Sequence, residues 1–116
     1  MSTFLIVEDE LLVGMMVEDM LVEFGHSVLH NIQDFTTAIE VAEKGKFDMA
    51  LLDLNLRGQS SLPIANVLME RGIPFVFATG YGRGVLDQRF ANVEVLAKPF
   101  LASDLAKAIT NCLTIK

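Results

Sequence analysis

Cysteine is nearly absent from this chain of 116 residues: Cys112 stands alone, so no internal disulfide can form and a disulfide-stapled secreted domain is excluded. No Cys or His lies at metal-ligand spacing from it, which removes a structural zinc site as well. Long apolar runs are also missing. The run Phe4-Leu5-Ile6-Val7 stops at Glu8, too short for a membrane span or a signal peptide, so a reducing cytoplasmic setting is expected. Positive charge is scarce: 9 Lys and Arg face 15 Asp and Glu, a net charge of −6 with no basic patch. Such a chain is unsuited to gripping a nucleic-acid backbone. Internal repeats, low-complexity tracts and Pro/Ser-rich linkers are lacking too, and residues 1–116 read as one domain with enough apolar content, 52%, for one core.

What is present is an alternation of short apolar runs and longer amphipathic stretches. The runs are Phe4–Val7, Ser27–His30, Met49–Leu52, Phe75–Ala78 and Val93–Leu96. All but the second are nearly continuous in apolar residues, the pattern of strands buried on both faces of a parallel sheet. Helical spacing fills the intervals. Leu11, Leu12, Met15, Met16, Met20 and Val22 precede a stop at Gly25, and Asp34 stands as N-cap of a second segment ending at Gly45. A third helix starts near Ser61 with Pro63 in its first turn and ends at Arg71-Gly72. A short fourth is expected around Val85–Phe90, and a fifth from Ser103 or Asp104 to about Leu113. Five successive βα units predict an α/β fold, an open parallel sheet covered by helices on both faces.

Ligands of such sheets bind beyond the carboxyl ends of the strands. Those positions hold Glu8-Asp9-Glu10 after the first run, Asp53 after the third, Thr79 after the fourth and Lys98-Pro99-Phe100 after the fifth. If the first and third strands are neighbours, Glu8, Asp9 and Asp53 converge, and their mutual repulsion calls for positive charge. A hard divalent cation with oxygen ligands, Mg²⁺ foremost, meets that need, and Lys98 adds a second counter-charge. Carboxylate, cation, hydroxyl and ammonium together are the parts for phosphoryl transfer to an aspartate, with Asp53 as nucleophile.

Each residue also has a plainer reading. Glu8-Asp9 alone fits an acidic loop at a helix N-terminus, and Thr79 alone a β-branched strand end. Lys98-Pro99 alone is a turn signal. Asp53 is harder to explain away, because Met49-Ala50-Leu51-Leu52 carries it into the core. The glycines of 80–84 lack the lysine of a phosphate-binding loop and read as a mobile segment. His26 and His30 read as structural or exposed, and the methionines Met15, Met16, Met20 and Met69 as core filling.

Four motifs, Leu5-Ile6-Val7-Glu8-Asp9-Glu10, Leu51-Leu52-Asp53-Leu54-Asn55, Ala78-Thr79-Gly80 and Lys98-Pro99-Phe100, stand in the order and spacing of the receiver domains of two-component response regulators. The chain resembles that family over its whole length. The resemblance implies a flavodoxin-like (βα)5 fold with strand order 2-1-3-4-5, and phosphorylation of Asp53 by a sensor histidine kinase or phosphotransferase. It implies Mg²⁺ or Mn²⁺ held by Asp9, Asp53 and the backbone carbonyl of Asn55, with Glu8 joining through water. Thr79 and Lys98 then contact the phosphoryl group, and the Lys98–Pro99 bond is cis. A cytoplasmic monomer or weak dimer is implied, acting through a downstream protein and catalysing only its own phosphorylation and dephosphorylation.

One departure is notable. The aromatic that usually lies three positions before the motif lysine is replaced by Val95. Together with Phe77-Ala78-Thr79-Gly80-Tyr81-Gly82, this resembles the FAT GUY subset of receivers, which lack the switch aromatic. Tyr81 is then either a gate in place of Val95 or an exposed loop aromatic. The moving element is expected to be the 80–84 loop, the short fourth helix and the fifth strand. Two rival functions remain: an aspartate-nucleophile phosphohydrolase, and a pseudo-receiver that only binds partners. The hydrolase needs an acid/base carboxylate two residues after Asp53, where Asn55 stands.

Overall fold

Buried strands need their backbone groups paired and both faces covered, and the arrangement found does both. The computed structural model describes residues 2–80 and 88–114. Five strands, β1 (Thr3–Val7), β2 (Ser27–Ile32), β3 (Met49–Asp53), β6 (Phe75–Thr79) and β7 (Glu94–Ala97), form one sheet in the order β2-β1-β3-β6-β7, every pairing parallel. Leaving aside a small antiparallel hairpin, β4 (Asn55–Leu56) with β5 (Gln59–Ser60), this is the 2-1-3-4-5 order of the flavodoxin-like fold. The described helices are α1 (Leu11–Glu23), α2 (Phe35–Lys44), α3 (Leu62–Arg71) and α4 (Ala102–Thr114). None is long and apolar enough to cross a membrane.

Alternation along the strands builds two cores. Leu5, Val7, Ala50, Leu52, Phe75 and Phe77 point to α2 and α3, while Phe4, Ile6, Met49, Leu51, Val76 and Ala78 point to α1 and α4. β3 and β6 are buried at every residue, which is why their runs are uninterrupted. β2 lies at an edge and is mostly half-buried, so its apolar signal is weak and its end, Ile32, lies two residues beyond the expected His30. β7, the other edge, is displaced one residue from the expected Val93–Leu96.

Local chemistry explains the helix ends. Asp34 accepts a hydrogen bond from the Thr37 N–H at 2.9 Å and caps α2. Pro63 stands in the first turn of α3, and Gly72 closes it in the left-handed region at φ 70°. The Arg71 guanidinium then reaches across to the carbonyls of Ala42 and Gly45, at 2.5 and 2.9 Å, fastening the end of α3 to that of α2.

Two expectations need correction. Met15, Met16 and Met69 are not core filling: they are 52%, 53% and 42% exposed. α1 is apolar almost all round, and its inward residues are Gly14, Val17 and Leu21, leaving the stripe Leu11, Leu12, Met15, Met16 and Val22 outside. The β4–β5 hairpin was not foreseen. Its tip, Arg57 and Gly58 at φ 54° and 85°, has the paired positive φ angles of a tight hairpin turn. Of the expected fourth helix, Gln88–Phe90 is a 3₁₀ turn with Phe90 fully buried; the rest, like Tyr81 and the loop beyond Gly80, lies outside the described residues.

Candidate functional site

Because the strands are parallel, their carboxyl ends share one edge of the sheet. β1 hands over to Glu8, Asp9 and Glu10 before α1 begins, β3 ends on Asp53, β6 on Thr79, and β7 leads into Lys98. Central strand pairing brings the first two of these together, since β1 lies directly against β3. Glu8, Asp53 and Thr79 are all buried.

Lys98 is the centre of the cluster. Its ammonium donates to Glu8 Oε1 at 2.7 Å and to Asp53 Oδ2 at 2.9 Å, so one cation bridges two carboxylates from different strands. Its backbone N–H donates to the Thr79 carbonyl at 2.9 Å, seating the end of β7 against β6. The Lys98–Pro99 peptide bond is cis. The second Asp53 oxygen, Oδ1, accepts from the Asn55 N–H at 3.3 Å. Asp9 accepts from the Arg57 N–H at 3.1 Å, which ties the hairpin tip to the acidic cluster. Glu8 Oε2 accepts from the Glu10 N–H at 3.1 Å.

Burial and charge act on these groups in opposite senses. Burial pushes the Glu8 carboxyl up to about 7, against the Lys98 ammonium and the Glu10 N–H, with the neighbouring Asp53 charge adding to the rise. For Asp9 burial also pushes upward, but hydrogen bonds with Glu8, the Arg57 N–H and Asp53 outweigh it and hold the group below the usual range. Lys98 is drawn down by burial, yet its bonds to Glu8 and Asp53 prevail and raise it.

One ammonium cannot balance this set. Ligand oxygens of Glu8, Asp9 and Glu10 all lie within 4.8 Å of one another, and Asp53 shares Lys98 with Glu8. The donors are hard oxygens only, which fits Mg²⁺ or another hard divalent cation and does not fit a soft metal. Glu10 enters that set without having been a candidate; its place in the acidic triplet was the available signal. Val95 pairs with Phe77 and packs half-buried on the α2–α3 side, so an aliphatic side chain occupies the place of the usual aromatic.

Comparison with known proteins points one way. A family model described as response regulator receiver domain matches residues 4–110. The chain is similar to SdrG of Sphingomonas melonis Fr1, known from a solution structure, with 42% identity, 97% of each chain covered and a TM-score of 0.86. It is 32% identical over 109 residues to the transcriptional regulatory protein PdtaR of Mycobacterium tuberculosis, covering 90% of this chain and 53% of that protein. It is 31% identical to the phyllosphere-induced regulator PhyR of Methylorubrum extorquens, covering 97% of this chain and 43% of that protein. The chain thus spans about half the length of the curated relatives it matches.

Proposed function

The chain belongs to the response regulator receiver domain family, and on that premise we propose that it is a phosphoacceptor of two-component signalling, with Asp53 as the residue that takes the phosphoryl group. The observation carrying this reading is the Lys98 ammonium held between Asp53 and Glu8 where β3 and β7 end. It places a fixed positive charge against the nucleophile, where charge gathers on the transferring oxygens. The transfer breaks the phosphorus–nitrogen bond of a phosphohistidine on the donor protein and forms a phosphorus–oxygen bond to the Asp53 carboxylate. The departing imidazole keeps the bonding electron pair and takes up a proton. Water later cleaves the acyl phosphate to free phosphate and the carboxylate.

Asp9, Asp53 and the Asn55 carbonyl, with Glu8 through water, would hold Mg²⁺ or Mn²⁺, which would supply further positive charge to the same oxygens. Lys98 and the Thr79 hydroxyl hold the phosphoryl group after transfer. On this reading residues 1–116 form one receiver domain, located in the cytoplasm, that catalyses only its own phosphorylation and dephosphorylation. The donor, a histidine kinase or phosphotransferase, docks on α1. That helix starts beside the acidic cluster and exposes Leu11, Leu12, Met15 and Met16, an apolar strip that a facing helix covers.

The test is intact mass and amide shifts after adding acetyl phosphate with Mg²⁺, wild type beside Asp53→Asn. One phosphate on the wild type alone is the expected result. Mg²⁺-dependent shifts without added mass direct the search to the protein donor. Neither shifts nor mass, with protein donors tried as well, leaves a pseudo-receiver.

A further inference from the structure

Ser61 stands at the N-cap of α3, the position where a serine hydroxyl ordinarily accepts a hydrogen bond from the first turn of its helix. It makes no such bond. Its hydroxyl is turned the other way and donates to the backbone carbonyl of Asp53 at 2.5 Å. The side chain is fully buried, at 0% exposure. Ser61 further donates its own N–H to the carbonyl of Leu54 at 3.0 Å, and its carbonyl accepts from the Ile64 and Ala65 N–H groups. A single residue therefore grips two consecutive carbonyls at the end of β3 and joins them to the first turn of α3. Between lies the Asn55–Ser60 hairpin, which Ser61 closes.

The Leu54 N–H of the peptide following Asp53 donates to the Ala78 carbonyl at 3.1 Å, so with the Ser61 hydroxyl on its carbonyl that plane is held at both polar groups. With Oδ1 on the Asn55 N–H and Oδ2 on Lys98, the residue is then tied at the main chain and at both side-chain oxygens. The bond to Asp53 is made where a helix cap is forgone, so it is not the local default of a serine at this position.

We propose that Ser61 is a positioning residue for Asp53: its hydroxyl sets the direction of the acceptor carboxylate and, through the next peptide planes, of the Asn55 carbonyl. The inference rests on the acceptor reading of Asp53. Without the hydroxyl, the peptide following Asp53 is held at its N–H alone, by the Leu54 bond to the Ala78 carbonyl at 3.1 Å, and its buried carbonyl loses the Ser61 partner; a shift of the reacting group by about 1 Å slows transfer steeply.

The experiment compares wild type, Ser61→Ala and Ile109→Val, a truncation on α4 in the other core layer that lowers stability without touching the site. Each is measured for its melting temperature, for the Mg²⁺ midpoint from amide shifts, and for the rate of phosphate gain from acetyl phosphate at saturating Mg²⁺. Ser61→Gly removes the same hydroxyl at a helix cap that tolerates glycine, and replaces the alanine variant where that chain does not fold. The expected result is a Mg²⁺ midpoint raised at least about threefold and a rate lowered about tenfold in the hydroxyl-free variant, both unchanged in Ile109→Val. A hydroxyl-free variant that melts earlier but keeps midpoint and rate within about twofold of wild type overturns the proposal and leaves Ser61 a hairpin closure only. Wild type that shows neither Mg²⁺ shifts nor phosphate gain, from acetyl phosphate or from a protein donor, overturns the acceptor reading of Asp53, and the role of Ser61 with it.

Discussion

Replacing Glu8 by Gln is expected to stabilise the metal-free protein, and only at neutral to alkaline pH. Glu8 is 3% exposed, and burial carries its carboxyl from an ordinary 4.5 to about 7 in spite of the Lys98 ammonium beside it. Each pKa unit is worth about 1.4 kcal/mol, so the ionised form costs the folded state roughly 3 kcal/mol once pH lies well above 7. Between about 4.5 and 7 the folded chain holds a proton that the unfolded chain has released. Stability therefore falls as pH rises through that window, and below it the penalty is absent.

Glutamine carries no charge and keeps one carbonyl oxygen for Lys98, while its NH2 takes the place of the oxygen that accepts from the Glu10 N–H, so that bond is lost. It forgoes part of the attraction to Lys98, so the net gain at about pH 8.5 is set at roughly 1–2 kcal/mol. For a domain of this length that is an increase in Tm of roughly 4–8 °C. Circular dichroism melts in the presence of a chelator, run at about pH 4.5 and about pH 8.5, measure it directly. The difference between variant and wild type grows with pH and shrinks when Mg²⁺ is added, because the cation offsets the charge of the buried carboxylate. A variant that melts no later than wild type at the higher pH, or a difference independent of pH, refutes the reasoning.

Leu12→Asp on α1, at a side chain 76% exposed, is expected to lower phosphoryl transfer from the protein donor at least about tenfold while acetyl phosphate still modifies Asp53 at the wild-type rate; equal loss with both donors would mean that the site itself was disturbed. Arg71→Ala removes two hydrogen bonds to the end of α2 and a guanidinium lying 5.8 Å from the Phe47 ring centre, and is expected to cost about 1–2 kcal/mol in denaturant melts with phosphorylation unaffected. Cys112 is half-buried with its thiol toward the Phe75 carbonyl, and burial followed by the Glu94 charge pushes its pKa up. Alkylation by iodoacetamide near neutral pH is then expected to run at least about tenfold slower than for a peptide thiol and to accelerate above about pH 9; peptide-like reactivity would contradict the burial.

Legibility in the sequence followed burial. β3 and β6 are covered on both faces, so nothing polar interrupts them and their runs announce themselves. β2 and β7 lie at the sheet edges, where one side of the strand needs no apolar partner, and there the boundaries slipped by one or two residues. α1 misled for the opposite reason. Before Glu18 the helix is apolar all round and carries no marker of its inner side, and the structure buries Gly14, Val17 and Leu21 while leaving the methionine and leucine stripe outside. The hairpin escaped notice because its strands are two residues each, too short for any period to register.

Site residues divide in the same way. Glu8, Asp9, Asp53, Thr79 and Lys98 were named from the sequence because strand ends in a parallel sheet share one edge, and chemistry-bearing residues at those ends stand out after apolar runs. That reasoning depends only on local patterning, and the chain's own order of residues determined it. The Lys98 bridge between Glu8 and Asp53, the raised Glu8 carboxyl, the Arg57 N–H on Asp9 and the turn of Ser61 away from its helix toward Asp53 were decided by tertiary structure alone. Each joins groups far apart in the chain or selects one of two available partners. Such choices depend on distances of a few tenths of an ångström that no spacing of residues encodes.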